Sequence, residues 1–85
     1  MYQDSTLVAL ARIVEEVTSV HRAEVTGDES LREDLDIDSL SLIDMAVAAE
    51  DMFGIGIPDE DLEGFRTMND AVEYIRHAII AKVSA

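Results

Sequence analysis

Hydrophobic positions fall in helical registers over most of the chain. From Ser5 to about Val20, the residues Leu7, Leu10, Val14 and Val17 recur at i, i+3, i+7 and i+10, one face of an α-helix. Arg12, Glu15, Glu16 and Ser19 occupy the other face, and Asp4 or Ser5 can cap the start. The pattern then lapses over residues 21–38, a long connection for so small a domain. That stretch holds Gly27 and the scattered apolar residues Val25, Leu31, Leu35 and Ile37, read as anchors that pin it across a bundle.

Helical spacing returns from Ser39 to about Phe53. Leu42, Met45, Ala46, Ala49 and Phe53 form a stripe suited to a core. Ser39, Ile43, Val47 and Glu50 line another side, with Leu40, Asp44 and Asp51 at its margins. Gly54 ends this helix, and "GIGIP" leads through Ile55 and Ile57 to Pro58. The segment "DEDLEGF" predicts a short helix capped by Asp59 and stopped at Gly64. Thr67, with Asp70 three residues on, predicts a near capping box for a last helix, whose buried stripe is Met68, Val72, Ile75 and Ile79. No strand pattern or internal repeat appears. The expectation is an all-α fold, a four-helix bundle of three longer helices and one short helix, forming a single domain over residues 1–85.

Composition narrows the chemistry. Hydrophobic residues make up 48% of the chain, enough to fold despite a net charge of −13. The chain has no cysteine, which excludes disulfides, thiolate metal sites and thiol catalysis. The start "MYQDSTL" lacks the basic and apolar regions of a secretory signal, and no apolar run approaches the roughly 20 residues of a membrane span. A cytoplasmic location is expected. The charge is concentrated: residues 28–63 hold thirteen of the nineteen Asp and Glu against one base, Arg32, for a local net of −12. Such a field repels nucleic acid and anionic membranes and attracts basic protein surfaces.

Ser39, which follows alternating acids and opens the second helix, is the residue to explain. Asp34, Asp36 and Asp38 have the first three spacings of an EF-hand, but Ser39 and Met45 stand where the loop needs Gly and Glu. No specific metal site is expected. A serine nucleophile needs a base, and His21 and His77 both lie in solvent-facing stretches. No catalytic residue is expected. Asp38 or Ser39 can simply cap the helix. Ser39 can also be an attachment point, exposed at a first turn whose N–H groups suit a phosphodiester.

The segment "DLDIDSLSLIDMAVAAEDMFGIGIPDEDLEGFRTMNDAVEYI", residues 34–75, strongly resembles the acyl carrier protein family, discrete and of the type II fatty-acid-synthase kind. Asp38, Ser39 and Leu40 match its attachment signature, and the likeness extends more weakly through the first helix. The resemblance implies that a transferase moves 4'-phosphopantetheine from coenzyme A onto Ser39, where it holds acyl groups as thioesters. It also implies docking through Leu40, Ile43, Asp44, Val47, Glu50 and Asp51. The implied partners are the phosphopantetheinyl transferase and the ketosynthase, acyltransferase, reductase and dehydratase enzymes, with basic docking surfaces. The carrier itself is expected to be a monomer without catalysis, nucleic acid or membrane. The family shelters acyl chains between the second, short and last helices, and Ala46 and Ala49 leave room there or allow close packing. Fatty-acid biosynthesis is the favoured pathway. Polyketide or modified-lipid synthesis is the alternative, and a non-covalent acidic or calcium-responsive module is the rival of another kind.

Overall fold

The structure, a computed structural model, describes residues 5–84. The element order is α1 (Ser5–Val17), a 3-10 turn at Arg22–Glu24, α2 (Ser39–Phe53), α3 (Asp59–Leu62) and α4 (Met68–Ser84). Three longer helices and one short helix thus form the bundle, with no strand among the described residues. Helix α1 is the shared support, packing against both α2 and α4.

The core is wholly apolar. Leu10, Val14, Leu31, Ile37, Met68 and Ile75 are its largest fully enclosed side chains. Each such aliphatic residue contributes about 1.5–3 kcal/mol relative to an exposed one. Two of the six come from the connection rather than a helix, and Val25 and Leu35 are buried beside them, so the expected anchors do pin it. The α2 stripe of Leu42, Met45, Ala46 and Ala49 is buried, with Phe53 packed at the edge.

Three boundaries differ from the sequence reading. Helix α1 ends at Val17, not Val20. The Thr18 hydroxyl donates to the Val14 carbonyl at 2.8 Å and accepts from Val20 N–H at 3.0 Å, so a local side-chain bond replaces the next helical turn. Asp4, one of the two caps considered, lies outside the described residues. Asp59 is not the cap of α3 but its first residue, because Pro58 takes the extended N-cap conformation and has no side-chain acceptor. That helix also closes earlier than Gly64, its cap at Glu63 donating back to Asp59.

The connection is fastened to the head of α4. Leu31 N–H donates to the Arg66 carbonyl at 2.8 Å, Met68 N–H to Glu29 at 3.1 Å, and Asn69 N–H to Gly27 at 2.8 Å. A helix leaves its first amides unsatisfied, and here two of them find carbonyls in the connection. The near capping box is also present: Asp70 N–H donates to the Thr67 hydroxyl and Thr67 N–H to the Asp70 carboxylate. Gly27, at φ 118°, lies against the head of α4, where a Cβ would lie 2.6 Å from the Asn69 side-chain oxygen.

Candidate functional site

Helix α2 starts where the pinned connection delivers it. Asp38, in extended conformation, is its cap, accepting the Ser41 N–H at 2.8 Å. This resolves the choice between Asp38 and Ser39 and leaves the Ser39 side chain for other use. The Ser41 N–H is the main reason the Asp38 carboxyl is held below its usual range, with Arg32 adding a smaller electrostatic share. Ser39 itself is exposed in the first turn of α2.

One neighbour of Ser39 escaped the sequence reading. The Arg32 guanidinium donates to the Ser39 hydroxyl oxygen at 3.3 Å. Arg32 is the single base in the acidic segment, which is the one sequence signal that marks it. Its backbone is held firmly, since Leu31 before it is 1% exposed and Leu35 after it is 3% exposed. Beside the pair lies a recess of about 230 Å³ between the start of α2 and α3. Leu42, Ile43 and Leu62 give it an apolar floor, and Asp59 and Glu63 stand at its α3 side. An exposed hydroxyl at a helix head with one guanidinium in reach is a donor set that fits a phosphodiester.

Below Ser39, the outer side of α2 is apolar. Leu40 is 69% exposed, Ile43 48% and Val47 52%, at i, i+3 and i+7 along one side. Asp44 and Asp51 are exposed beside them. Five of the six expected docking residues are therefore at the surface. Glu50 is less exposed than the other five: it is half-buried, and its carboxylate accepts the Ile57 N–H at 2.8 Å. The Ile57 amide of the returning "GIGIP" segment has this carboxylate as its acceptor, which draws the side chain inward. Gly54, at φ 65°, caps the end of α2 just above, where a Cβ would lie 2.6 Å from Lys82 Nζ.

The remaining acids divide in the same way. Asp34 accepts Ser30 N–H at 2.8 Å, so two of the three EF-like carboxylates serve backbone amides. Asp36 between them has φ 53°, a left-handed conformation. Among the described residues no group of three His, Asp or Glu side chains could hold a metal ion. His21 caps the 3-10 turn, its Nδ1 accepting Ala23 N–H at 3.1 Å, and His77 is exposed on α4. The structure brings neither histidine to Ser39. Tyr74 of α4 fixes α3 by donating to the Asp61 carboxylate at 2.7 Å, a bond that, with burial second, raises the phenol pKa.

A helical bundle that presents an exposed serine at the head of its second helix has the architecture of a carrier domain. The comparisons with known proteins agree. The family model for the phosphopantetheine attachment site matches residues 8–75. A meromycolate extension acyl carrier protein of Mycolicibacterium smegmatis is 51% identical over 74 residues, 87% of this chain and 75% of that protein. An acyl carrier protein of Rhodococcus erythropolis is also 51% identical, over 87% of this chain and 81% of its own. Among solved structures, the acyl carrier protein of Enterococcus faecalis matches with TM-score 0.73 and 32% identity, over 92% of this chain and 99% of its own. That of Thermotoga maritima matches in fold with TM-score 0.79, over 88% and 87%.

The chain belongs to the phosphopantetheine attachment-site family, among the acyl carrier proteins. Its cofactor is 4'-phosphopantetheine, and its kind works with fatty-acid synthesis enzymes and acyl chains. Among the described residues no helix is long and apolar enough to cross a membrane.

Proposed function

We propose that Ser39 carries the 4'-phosphopantetheine arm and that this chain shuttles acyl thioesters between separate enzymes of fatty-acyl elongation, with no catalysis of its own. The observation that carries the reading is the exposed Ser39 hydroxyl at the head of α2, released from capping duty by Asp38. Loading forms a bond from Ser39 Oγ to phosphorus, releases the adenosine bisphosphate half of coenzyme A, and passes the hydroxyl proton to the transferase. The arm supplies the thiol that the chain lacks.

Docking follows from the outer side of α2. Leu40, Ile43 and Val47 offer a small apolar centre, and Asp44 and Asp51 frame it with charge. That pattern suits brief encounters steered by basic patches on the transferase, ketosynthase, acyltransferase, reductase and dehydratase. The recess between α2 and α3 is the natural entrance for an acyl chain. A monomer in the cytoplasm completes this reading.

A carrier dedicated to a modified lipid is the second reading, favoured by relatives that are themselves meromycolate extension carriers. Intact mass after incubation with coenzyme A, magnesium and a phosphopantetheinyl transferase tests the assignment. The wild type should gain one phosphopantetheine mass and Ser39→Ala none, with the same helical content. Modification that survives in Ser39→Ala would move the site to Ser41.

A further inference from the structure

The most unusual side chain near Ser39 is basic. Residues 28–63 contain thirteen carboxylates and one cation, and among the described residues that cation is the one group whose side chain bonds the Ser39 hydroxyl. A scattered surface arginine would have many carboxylates to choose from in this segment. Arg32 instead forms no ion pair within 4 Å among the described residues and donates to a neutral oxygen. Its backbone sits between two buried leucines in a turn that is bonded to the Arg66 carbonyl, so the guanidinium is tethered close to this spot.

We propose that Arg32 is a positioning residue for the prosthetic arm, holding the phosphodiester once Ser39 has been loaded. This rests on Ser39 being the attachment point. The loaded oxygen becomes part of a monoanion set between Asp38, the residue before it, and Asp59 and Glu63 across the recess. Without a cation, that added charge meets only like charges. A guanidinium at hydrogen-bond distance from Oγ needs a small rotation to donate to the phosphate oxygens, and its fork suits two of them. The bond strengthens on loading because its acceptor turns from a neutral hydroxyl into an anion. Arg32 thereby fixes the first bonds of the arm over the recess mouth and neutralises the charge that loading adds.

The test compares apo and holo forms of the wild type, Arg32→Gln and Arg32→Lys, each checked by intact mass and circular dichroism. In wild type, loading should shift the side-chain Nε resonance of Arg32. In holo Arg32→Gln the phosphorus resonance should move from its wild-type position, with Arg32→Lys partly restoring it. Loading should also lower the melting temperature of Arg32→Gln by about 2–4 °C more than that of wild type at low salt, a difference that shrinks in 0.5 M salt. An Arg32 resonance identical in apo and holo wild type overturns the proposal without needing any variant. So do equal loading shifts in melting temperature for wild type and Arg32→Gln. Failure of wild-type Ser39 to gain mass is a different result: it removes the attachment reading itself.

Discussion

The connection and helix α2 carry the same kind of residue and use it differently. In the connection, Glu29 and Asp34 turn their carboxylates onto backbone amides. On the outer side of α2, Asp44 and Asp51 stay in solvent beside Ile43 and Val47. The cause is local: a connection without regular structure leaves N–H groups to satisfy, whereas a helix interior has already paired its own. Glu50 obeys the same rule from inside α2, because the Ile57 amide lies in reach. The −12 segment is therefore two populations, one bonded to the backbone of the fold and one left in solvent.

Breaking the tightest point of the connection should have the largest effect. Gly27→Ala puts a Cβ into Asn69 at φ 118°, which should cost about 2 kcal/mol, or roughly 8–16 °C of melting temperature. A variant that melts within 2 °C of wild type would show that α4 gives way easily there.

The paired reversals Asp44→Lys and Glu50→Lys separate the two populations most directly. Asp44→Lys should slow turnover with a basic transferase severalfold at low salt and leave the melting temperature within about 1 °C. Glu50→Lys should lower the melting temperature by about 4–8 °C, since it removes a charged acceptor from a half-buried amide. Equal thermal effects from both would erase the distinction drawn above.

Acid should act on the backbone-bonded population first. Burial opposes ionisation of Glu29, but bonds from the Thr26 hydroxyl and the Thr26 and Gly27 amides outweigh it and lower its pKa from 4.5 to about 2. A carboxylate depressed in the folded state stabilises the fold above its unfolded pKa, and that contribution is lost as pH falls through the folded value. Asp38, held down chiefly by Ser41 N–H, and Asp70, chiefly by Arg66 N–H, act in the same direction. Melting curves of wild type and Glu29→Gln should therefore converge between about pH 4.5 and about pH 2, with the wild type ahead above that window. A constant gap across the window would mean that Glu29 contributes through packing alone.

The smallest effect should be a gain. Asp36 occupies a left-handed conformation at φ 53°, which glycine adopts without a Cβ penalty. Asp36→Gly should raise stability by about 0.5 kcal/mol, net of glycine's larger unfolded-state entropy. A lower melting temperature would show that the Asp36 side chain has a structural role of its own.

The long helices and their buried stripes were legible because helical periodicity and burial report the same thing. Leu42, Met45, Ala46 and Ala49 illustrate it, and so does the Thr67–Asp70 box, a local motif with local geometry. Ser39, the proposed attachment point, stood out in the sequence through its motif and the acids around it. What the sequence could not disclose were meetings between distant residues. Glu50 and Ile57 stand seven apart across a turn, as do Arg32 and Ser39. Asn69 and Asp28 meet across 41 residues, and no periodicity encodes such encounters. Helix ends were misplaced where one hydroxyl or proline decides the matter, as Thr18 does at α1 and Pro58 at α3.

The bond from Tyr74 to Asp61 has an optical consequence. The chain has no tryptophan and two tyrosines, so its ultraviolet emission comes from phenols alone. A phenol that donates to a carboxylate loses its proton readily in the excited state, and its emission is quenched. Tyr74 should therefore be dim while this bond holds and brighten in any state that breaks it. With Tyr2 replaced by phenylalanine, the protein becomes its own reporter. Emission that rises with the length of a loaded acyl chain would count, without any attached dye, how often that bond is broken.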